Sequence, residues 1–163
     1  MANVEVPHKI KQVLKIISDR LKDKEISWCI AGSCALLLHG IDIKEIDDID
    51  IISDKEGAFN ICKHFNNHEV SAIREKMSDN LVSVMGILVI DDIKVEVKGD
   101  LKYKGATDTA WHTSSKMLRS PQMITVGDFS VPVASLDDLL HVYKTMGRDK
   151  DLKRVEAIKK AQT

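Results

Sequence analysis

The sequence predicts an α/β fold in which a small mixed sheet carries helices largely on one side and the chain ends in a helix pair. Three observations predict it. Apolar runs of strand length alternate with amphipathic helical stretches. Acidic and apolar residues alternate with the period of a strand in Asp48-Ile49-Asp50-Ile51-Ile52. Two further pairs of apolar runs are separated by short polar turns, as in β-hairpins.

Length and charge limit the classes of function. With 163 residues, the chain is long enough for one domain with a real core and too short for two of ordinary size, so we expect a single domain over 1–163. The 24 Lys and Arg residues nearly balance 25 Asp and Glu residues. Because no global basic field follows from this balance, a long polynucleotide is not the default partner.

The cysteines and the hydropathy pattern point to a cytoplasmic protein. Cys29, Cys34 and Cys62 lie in apolar runs without Cys-x-x-Cys spacing, which argues against a zinc site or a disulfide framework. No apolar stretch reaches the roughly 18 residues of a membrane helix, and the N-terminus lacks a signal-peptide pattern. We therefore expect no membrane partner.

The first half of the chain supplies the elements of a catalytic core over about 26–100. Helical spacing of apolar residues predicts a first helix over 7–23. A strand over 26–31, a Gly32-Ser33 turn, a helix over 33–39 and an acidic loop over 41–47, which includes Glu45, precede the Asp48 strand. Ser53-Asp54-Lys55-Glu56 then predicts a capping box that opens another helix.

The second half begins with a weak pattern over 70–79, which is either strand or loop. Apolar runs at 81–90 and 93–97 predict a hairpin, and the charged stretch 98–120 predicts a long loop beside the site. A second hairpin and two helices then form a C-terminal unit over about 122–161. Its helices are predicted from the Ser135 cap to Gly147 and over 149–161.

Asp48 and Asp50 are the first candidate site residues. Strand alternation places them on one face, with Ile49 and Ile51 on the other. Two neighbouring carboxylates repel each other unless a cation lies nearby, and hard oxygen ligands suit Mg²⁺ in phosphoryl transfer. Asp47 would replace them only if the register slipped by one residue and exchanged the two faces. The pattern favours Asp48 and Asp50, because Asp47 otherwise shares a face with Ile49 and Ile51.

Other candidates are weaker when taken singly. Gly32 permits close approach of backbone to a phosphate, and Ser33 begins a helix whose free N-H groups favour an anion, although a Gly-Ser pair is more often an ordinary turn. Glu96, between two valines, must lie near the sheet surface or beside a cation, unless it is an edge-strand residue facing water. Lys102, Lys104 and His112 are candidates for triphosphate or acceptor contacts on the predicted loop.

Gly32-Ser33 followed by Asp48-Ile49-Asp50 resembles the pattern of the nucleotidyltransferases of the DNA polymerase β superfamily. The resemblance implies the nucleotidyltransferase fold, Mg²⁺ as cofactor and a nucleoside triphosphate as substrate, with ATP expected. It also implies a third carboxylate, supplied here by Glu96 where Asp is more usual, so that Asp48, Asp50 and Glu96 would be the catalytic and metal-binding residues. By the same resemblance, Gly32 and Ser33 would cradle phosphates.

The segment from Lys144 to Asp151 resembles a C-terminal motif of related nucleotidyltransferases. That resemblance implies that Lys144 faces the nucleotide phosphates and that Arg148 lies at a helix junction. We therefore expect transfer of a nucleoside monophosphate to an acceptor hydroxyl on a small molecule, RNA or protein, with self-association left open. The alternative is a non-catalytic nucleotide-binding or toxin–antitoxin-type interaction protein with the same fold.

Overall fold

The computed structural model describes residues 5–43 and 46–163, so Glu45 of the predicted acidic loop lies outside the described residues. The first elements are α1 (His8–Leu21), β1 (Trp28–Ala31), α2 (Gly32–Leu38), β2 (Asp48–Ser53) and α3 (Lys55–His64), followed by a 3-10 turn at Asn66–His68. Next come β3 (Glu69–Met77), β4 (Leu81–Ile90), β5 (Ile93–Tyr103), β6 (His112–Thr113), α4 (Ser115–Arg119), β7 (Gln122–Val126), β8 (Phe129–Val133), α5 (Leu136–Met146) and α6 (Asp149–Ala161).

The eight strands form one mixed sheet in the order β3-β4-β5-β2-β1-β8-β7, and β6 pairs with β5. The pairs β2/β5 and β1/β8 are parallel, and the other pairs are antiparallel. The predicted mixed α/β fold is thus confirmed, with a larger sheet than expected. The two central strands, β2 and β5, lie side by side, and both carry candidate site residues.

Apolar residues pack as the patterns predict. The stripe of α1 is buried, and the core continues through the inward faces of β2 and β5, where Ile49, Ile51, Val95 and Val97 have no exposed surface. The three cysteines are free and buried, as expected. Within the described residues, the structure has no helix with the length and hydropathy needed to cross a bilayer.

The two predicted hairpins are confirmed by the antiparallel pairing of β4 with β5 and of β7 with β8. Asp91 and Asp92, with φ of 48° and 66°, join β4 to β5, and positive φ at both central residues is typical of a tight hairpin turn. The uncertain stretch at 70–79 is a strand, β3, paired with β4. Ser135 caps α5 by accepting a hydrogen bond from the Asp138 N-H, and α5 ends at Gly147 in the left-handed conformation.

Two predictions about local structure were wrong. The stretch 98–120 is not a long loop, because β5 continues to Tyr103 and is followed by β6 and α4. Along this part of β5, buried residues alternate with charged ones, as in a strand with one buried face. The buried residues are Val97, Gly99, Leu101 and Tyr103. The cap of α3 is also different: Asp54 accepts the hydrogen bond from the Gly57 N-H, whereas the Ser53 hydroxyl donates to the Ser27 carbonyl.

Candidate active site

Strand β2 presents Asp48 and Asp50 on the face opposite its buried isoleucines, as the alternation predicted. The Asp48 side chain is 40% exposed and that of Asp50 is 21% exposed. Ile49 and Ile51 are fully buried on the other face. Asp47 precedes the strand and is exposed. The predicted register of the acidic strand is therefore confirmed.

Strand β5 places Glu96 directly beside this pair. It runs parallel to β2, with Asp50 opposite Glu96 and Asp48 opposite Lys94. Because β5 lies between β2 and β4, it is not an edge strand, and the Glu96 side chain is only 20% exposed. The alternative of an edge-strand glutamate facing water is therefore wrong. The sheet brings all three predicted carboxylates to one face.

Two lysines, which the sequence reasoning did not select, separate these carboxylates. Lys94 Nζ lies 3.3 Å from Glu96 Oε1 and 3.9 Å from Asp48 Oδ2. Lys98 Nζ lies 3.4 Å from Glu96 Oε2 and 3.5 Å from Asp50 Oδ1. The signal was present in the sequence, because residues 94, 96 and 98 share one face of a strand.

Burial and these neighbours shift the acid–base properties of the site. Burial raises the pKa of Asp50 to about 6, against the opposing charge of Lys98 and with a further rise from Glu96. Burial also opposes ionisation of Glu96, but its hydrogen bond with Asp50 and its ion pairs with Lys98 and Lys94 outweigh this and lower its pKa. The hydrogen bond to Glu96 in turn raises the pKa of Lys94. Glu96 is therefore the better ionised of the buried carboxyl pair.

Gly32 approaches the carboxylates from the start of α2. It has φ of 66°, which a residue with a side chain seldom adopts, and a Cβ added there would overlap Asp50 Oδ2. The turn that the sequence suggested as a phosphate cradle is thus packed directly against the acidic strand. Ser33 follows it along the same wall.

A cavity of about 500 Å³ opens onto the carboxylates. Its acidic wall consists of residues from β2 and β5, and its opposite wall comes from α5 and α6 and includes Tyr143, Arg148, Lys150 and Arg154. Two buried polar atoms in the described part of the chain have no hydrogen-bond partner, and they are Asp50 Oδ1 and the Tyr143 hydroxyl oxygen. Because both residues line this one cavity, it is the place where a polar ligand would satisfy them.

The cavity is electrostatically divided. Burial lowers the pKa of Lys150, and the positive charges of Arg148 and Arg154 lower it further. The Arg154 guanidinium also lies over the Tyr143 ring, 5.2 Å from its centroid. The acidic wall therefore favours a cation, and the basic wall favours an anionic group.

Comparison with known proteins identifies the family. The profile of the family described as aminoglycoside-2''-adenylyltransferase matches residues 13–158. The chain belongs to this family. It is therefore a member of the nucleotidyltransferase superfamily, as the resemblance implied. Among curated protein sequences, none matches the chain.

Solved structures agree with this family. A Thermotoga maritima protein, described as a "putative nucleotidyltransferase", matches with a TM-score of 0.78 and 29% identity, over 97% of this chain and 93% of that one. The crystal structure of ANT(2'')-Ia with adenylyl-2''-tobramycin matches with a TM-score of 0.58 and 12% identity, over 95% of this chain and 90% of that one. The solution structure of ANT(2'')-Ia matches with a TM-score of 0.55 and 12% identity, over 97% of this chain and 86% of that one. At 12% identity, the likeness shows the fold alone.

Three lysines that the sequence suggested as substrate contacts lie away from the carboxylates of this family member. Lys144 is exposed on α5 and does not line the cavity described above. Lys102 lines another cavity, of about 270 Å³, with residues such as Asp54 and Thr113. Lys104 lies 4.6 Å above the Trp111 ring centroid. None of these three lysines is brought to the carboxylates by the described structure.

His112 belongs to an aromatic cluster away from the carboxylates. Its ring stacks on that of Tyr103, with centroids 5.6 Å apart, and the Tyr103 hydroxyl is 3.0 Å from His141 Nδ1. The three residues line a separate cavity of about 290 Å³. His39, at the C-terminal end of α2, has its Nε2 2.8 Å from the Ala134 carbonyl oxygen, which gives it a structural partner.

Arg148 lies at the junction of α5 and α6, as the resemblance implied. Its Nε donates to Asp151 Oδ2 at 2.6 Å and its Nη2 to Asp151 Oδ1 at 3.1 Å. Asp151 is fully buried and also accepts from the Arg148 backbone N-H. This bidentate pair holds the first turn of α6, the helix that carries Lys150 and Arg154 to the cavity.

Proposed function

We propose that this protein catalyses Mg²⁺-dependent transfer of a nucleoside monophosphate from a nucleoside triphosphate, with ATP expected, to an acceptor hydroxyl. The observation that carries the proposal is the register of β2 and β5, which sets Glu96 opposite Asp50 on the face that also bears Asp48. A basic wall of Lys150 and Arg154 faces them across one cavity. Membership in an adenylyltransferase family supports the same reaction.

The residues present fit a divalent ion. Asp50 Oδ1 is buried and makes no hydrogen bond, although it has the Lys98 ammonium 3.5 Å away, and the oxygens around it are hard donors of the kind that Mg²⁺ takes. The described residues contain no group of three ligating side chains already close enough to hold a metal. Lys94 and Lys98 each lie between two of the carboxylates. Asp48, Asp50 and Glu96 would hold one or two ions once these lysines move.

Mg²⁺, when bound, would neutralise charge on the triphosphate during in-line displacement at the α-phosphorus. The chain's own groups supply the rest. Glu96, whose pKa is lowered, is ionised at neutral pH and suited to hold a metal ion. Because a lowered pKa makes it a weak base, a role in accepting the proton of the attacking hydroxyl would depend on its position and not on its basicity. Lys150 and Arg154 would neutralise the departing pyrophosphate from the opposite wall. Gly32, by lacking a side chain, lets the Asp50 carboxylate pack against the turn, and Ser33 on the same wall would offer its hydroxyl to the phosphates.

An aminoglycoside hydroxyl is the acceptor to test first, because the family is named for that reaction. RNA is less favoured. A basic surface over 98–119 would have supported it, but Lys98 pairs with carboxylates and Lys116 with Asp138, at 3.5 Å. The non-catalytic alternative is also less favoured, because a copy without turnover is not expected to retain all three carboxylates in register.

Transfer of label from α-labelled ATP to a panel of aminoglycosides tests the proposal. We expect Mg²⁺-dependent transfer by the wild type and loss of at least about a hundredfold in Asp48→Asn with Asp50→Asn, because the metal ligands are removed. Asp42→Asn is the matched control, since Asp42 is an exposed acidic residue before β2 that does not line the cavity, and it should retain activity. A wild type that neither binds nor turns over ATP with Mg²⁺ contradicts the proposal.

A further inference from the structure

The carboxylates and lysines of the site form a row of alternating charge across two strands. In spatial order, the row runs Asp48, Lys94, Glu96, Lys98, Asp50, with successive charged atoms 3.9, 3.3, 3.4 and 3.5 Å apart. Each ammonium group bridges two carboxylates. The row thus holds three negative and two positive formal charges, so the carboxylates are nearly neutralised by the chain's own lysines.

The two lysines are not equivalent. The Lys98 side chain is 21% exposed and lines the cavity, whereas that of Lys94 is 43% exposed and does not line it. Lys98 also acts electrostatically on Lys150, which belongs to the basic wall across the cavity. Lys98 is therefore the ammonium group that lies between the carboxylates and the space where a triphosphate would bind.

The position of Lys98 conflicts with metal binding. Mg²⁺ needs carboxylate oxygens at about 2.0–2.1 Å, and Lys98 Nζ lies between the two oxygens, on Asp50 and Glu96, that would be drawn to such an ion. Two cations cannot share this space without strong repulsion. A divalent ion alone would also leave the row positively charged, whereas a triphosphate, with its several negative charges, restores the balance.

We propose, on the basis of the function proposed above, that Lys98 is a displaceable cation that bridges Asp50 and Glu96 before substrate binds and moves to the triphosphate when metal and nucleotide enter together. A lysine suits this role because its ammonium group is a point charge on a flexible four-carbon stem. Metal and nucleotide then bind cooperatively, and metal alone binds weakly. Lys98 is thus a substrate-positioning residue as well as an internal competitor of the metal.

Titrations of Mn²⁺ and of a non-hydrolysable ATP analogue, followed by calorimetry and by the electron paramagnetic resonance of free Mn²⁺, test the proposal. In Lys98→Met we expect Mn²⁺ alone to bind about tenfold more tightly, because its competitor is gone. The analogue, in the presence of saturating Mn²⁺, should bind about tenfold more weakly, because a phosphate contact is gone. The two changes have opposite signs, which a merely structural role would not produce.

Two matched variants complete the design. Lys63→Met removes an exposed lysine of α3 that lines none of the three cavities described above, and it should match the wild type in both titrations. Lys94→Met removes the other bridging ammonium, and it should tighten binding of Mn²⁺ alone without weakening the analogue, because Lys94 does not line the cavity.

The outcomes separate this inference from the proposed function. Unchanged or weaker binding of Mn²⁺ alone to Lys98→Met, or unchanged binding of the analogue, overturns the role of Lys98 while the wild type still binds both ligands. If the wild type binds neither, the proposed function fails first. Should Lys98→Met not fold, Lys98→Arg is titrated instead: its fork pairs more firmly with carboxylates, so Mn²⁺ alone should bind more weakly than to the wild type, and equal or tighter binding overturns the inference.

Discussion

Replacement of Gly32 by alanine is expected to disable the site through a single methyl group. The residue has φ of 66°, and the added Cβ would overlap Asp50 Oδ2, with Asp50 Cγ only 3.1 Å away. The Asp50 carboxylate is largely buried between Lys98 and Glu96, so it cannot turn aside without leaving its partners. Gly32→Ala therefore changes both the backbone energy and the position of a predicted metal ligand.

The size of each effect follows from these two contacts. A left-handed backbone conformation costs an alanine about 1–2 kcal/mol of folding free energy. Displacement of Asp50 adds a functional loss, for which we expect a fall of about 10- to 100-fold in affinity for ATP with Mg²⁺, the range found when the supports of metal ligands are removed. Urea unfolding measures the first quantity, and calorimetric titration with an ATP analogue measures the second.

Gly127 offers a matched control, because it has the same φ of 66° in the turn between β7 and β8. A Cβ there would meet only the end of the flexible Lys11 side chain, which can move away. Gly127→Ala should therefore lose a similar free energy of unfolding and keep its affinity for nucleotide. If Gly32→Ala binds nucleotide as well as Gly127→Ala does, the packing of this turn against Asp50 has no functional role.

Three further predictions concern the helix junction, the acidic pair and the basic wall. Asp151→Asn breaks the pair with Arg148. In urea it should lower the free energy of unfolding by about 1.5–3 kcal/mol, the range for a hydrogen bond to a charged group, whereas a loss near zero would contradict the pairing. Because the pKa of Asp50 is raised on folding, from 3.8 to about 6, its ionisation opposes folding increasingly as pH rises between these values. Asp50→Asn should therefore gain about 1–3 kcal/mol relative to the wild type between pH 4 and pH 8, and a difference that does not change with pH would refute the shift. Arg154→Met should weaken nucleotide binding about tenfold in calorimetric titration, and Lys144→Met should change it less; the opposite ranking would favour the role that the resemblance implied for Lys144.

The sequence predicted best those features that depend on residues close together in the chain. Alternation fixed the faces of β2, and the Asp91-Asp92 turn fixed the β4/β5 hairpin, because both depend on neighbouring residues only. The continuation of β5 to Tyr103 was missed because Gly99 and three charged residues hide its alternation. The absence of a side chain at Gly99 allows α3 to pack closely against β5, because a Cβ there would crowd the Ala58 side chain. A contact between distant segments cannot be inferred from a local pattern.

The candidate site was predicted in part for the same reason. The type and face of each carboxylate followed from alternation, but the parallel pairing of β2 with β5 required the fold, and with it came the bridging roles of Lys94 and Lys98. The basic wall was also missed at Arg154, because its approach depends on how α6 packs after the Arg148 corner. The single-domain organisation, the cytoplasmic location and the roles of the individual site residues stay predictions.

The central claim is that Asp48 and Asp50 form part of a metal–nucleotide site, and thermal stabilisation tests it most directly. The melting temperature is measured with ATP alone, Mg²⁺ alone and both together, for the wild type and for Asp48→Asn with Asp50→Asn. We expect a shift in the wild type that requires both ligands and disappears in the double variant, because binding to the folded state raises its stability. No shift in the wild type at millimolar ligand, or an equal shift in the double variant, would contradict the account.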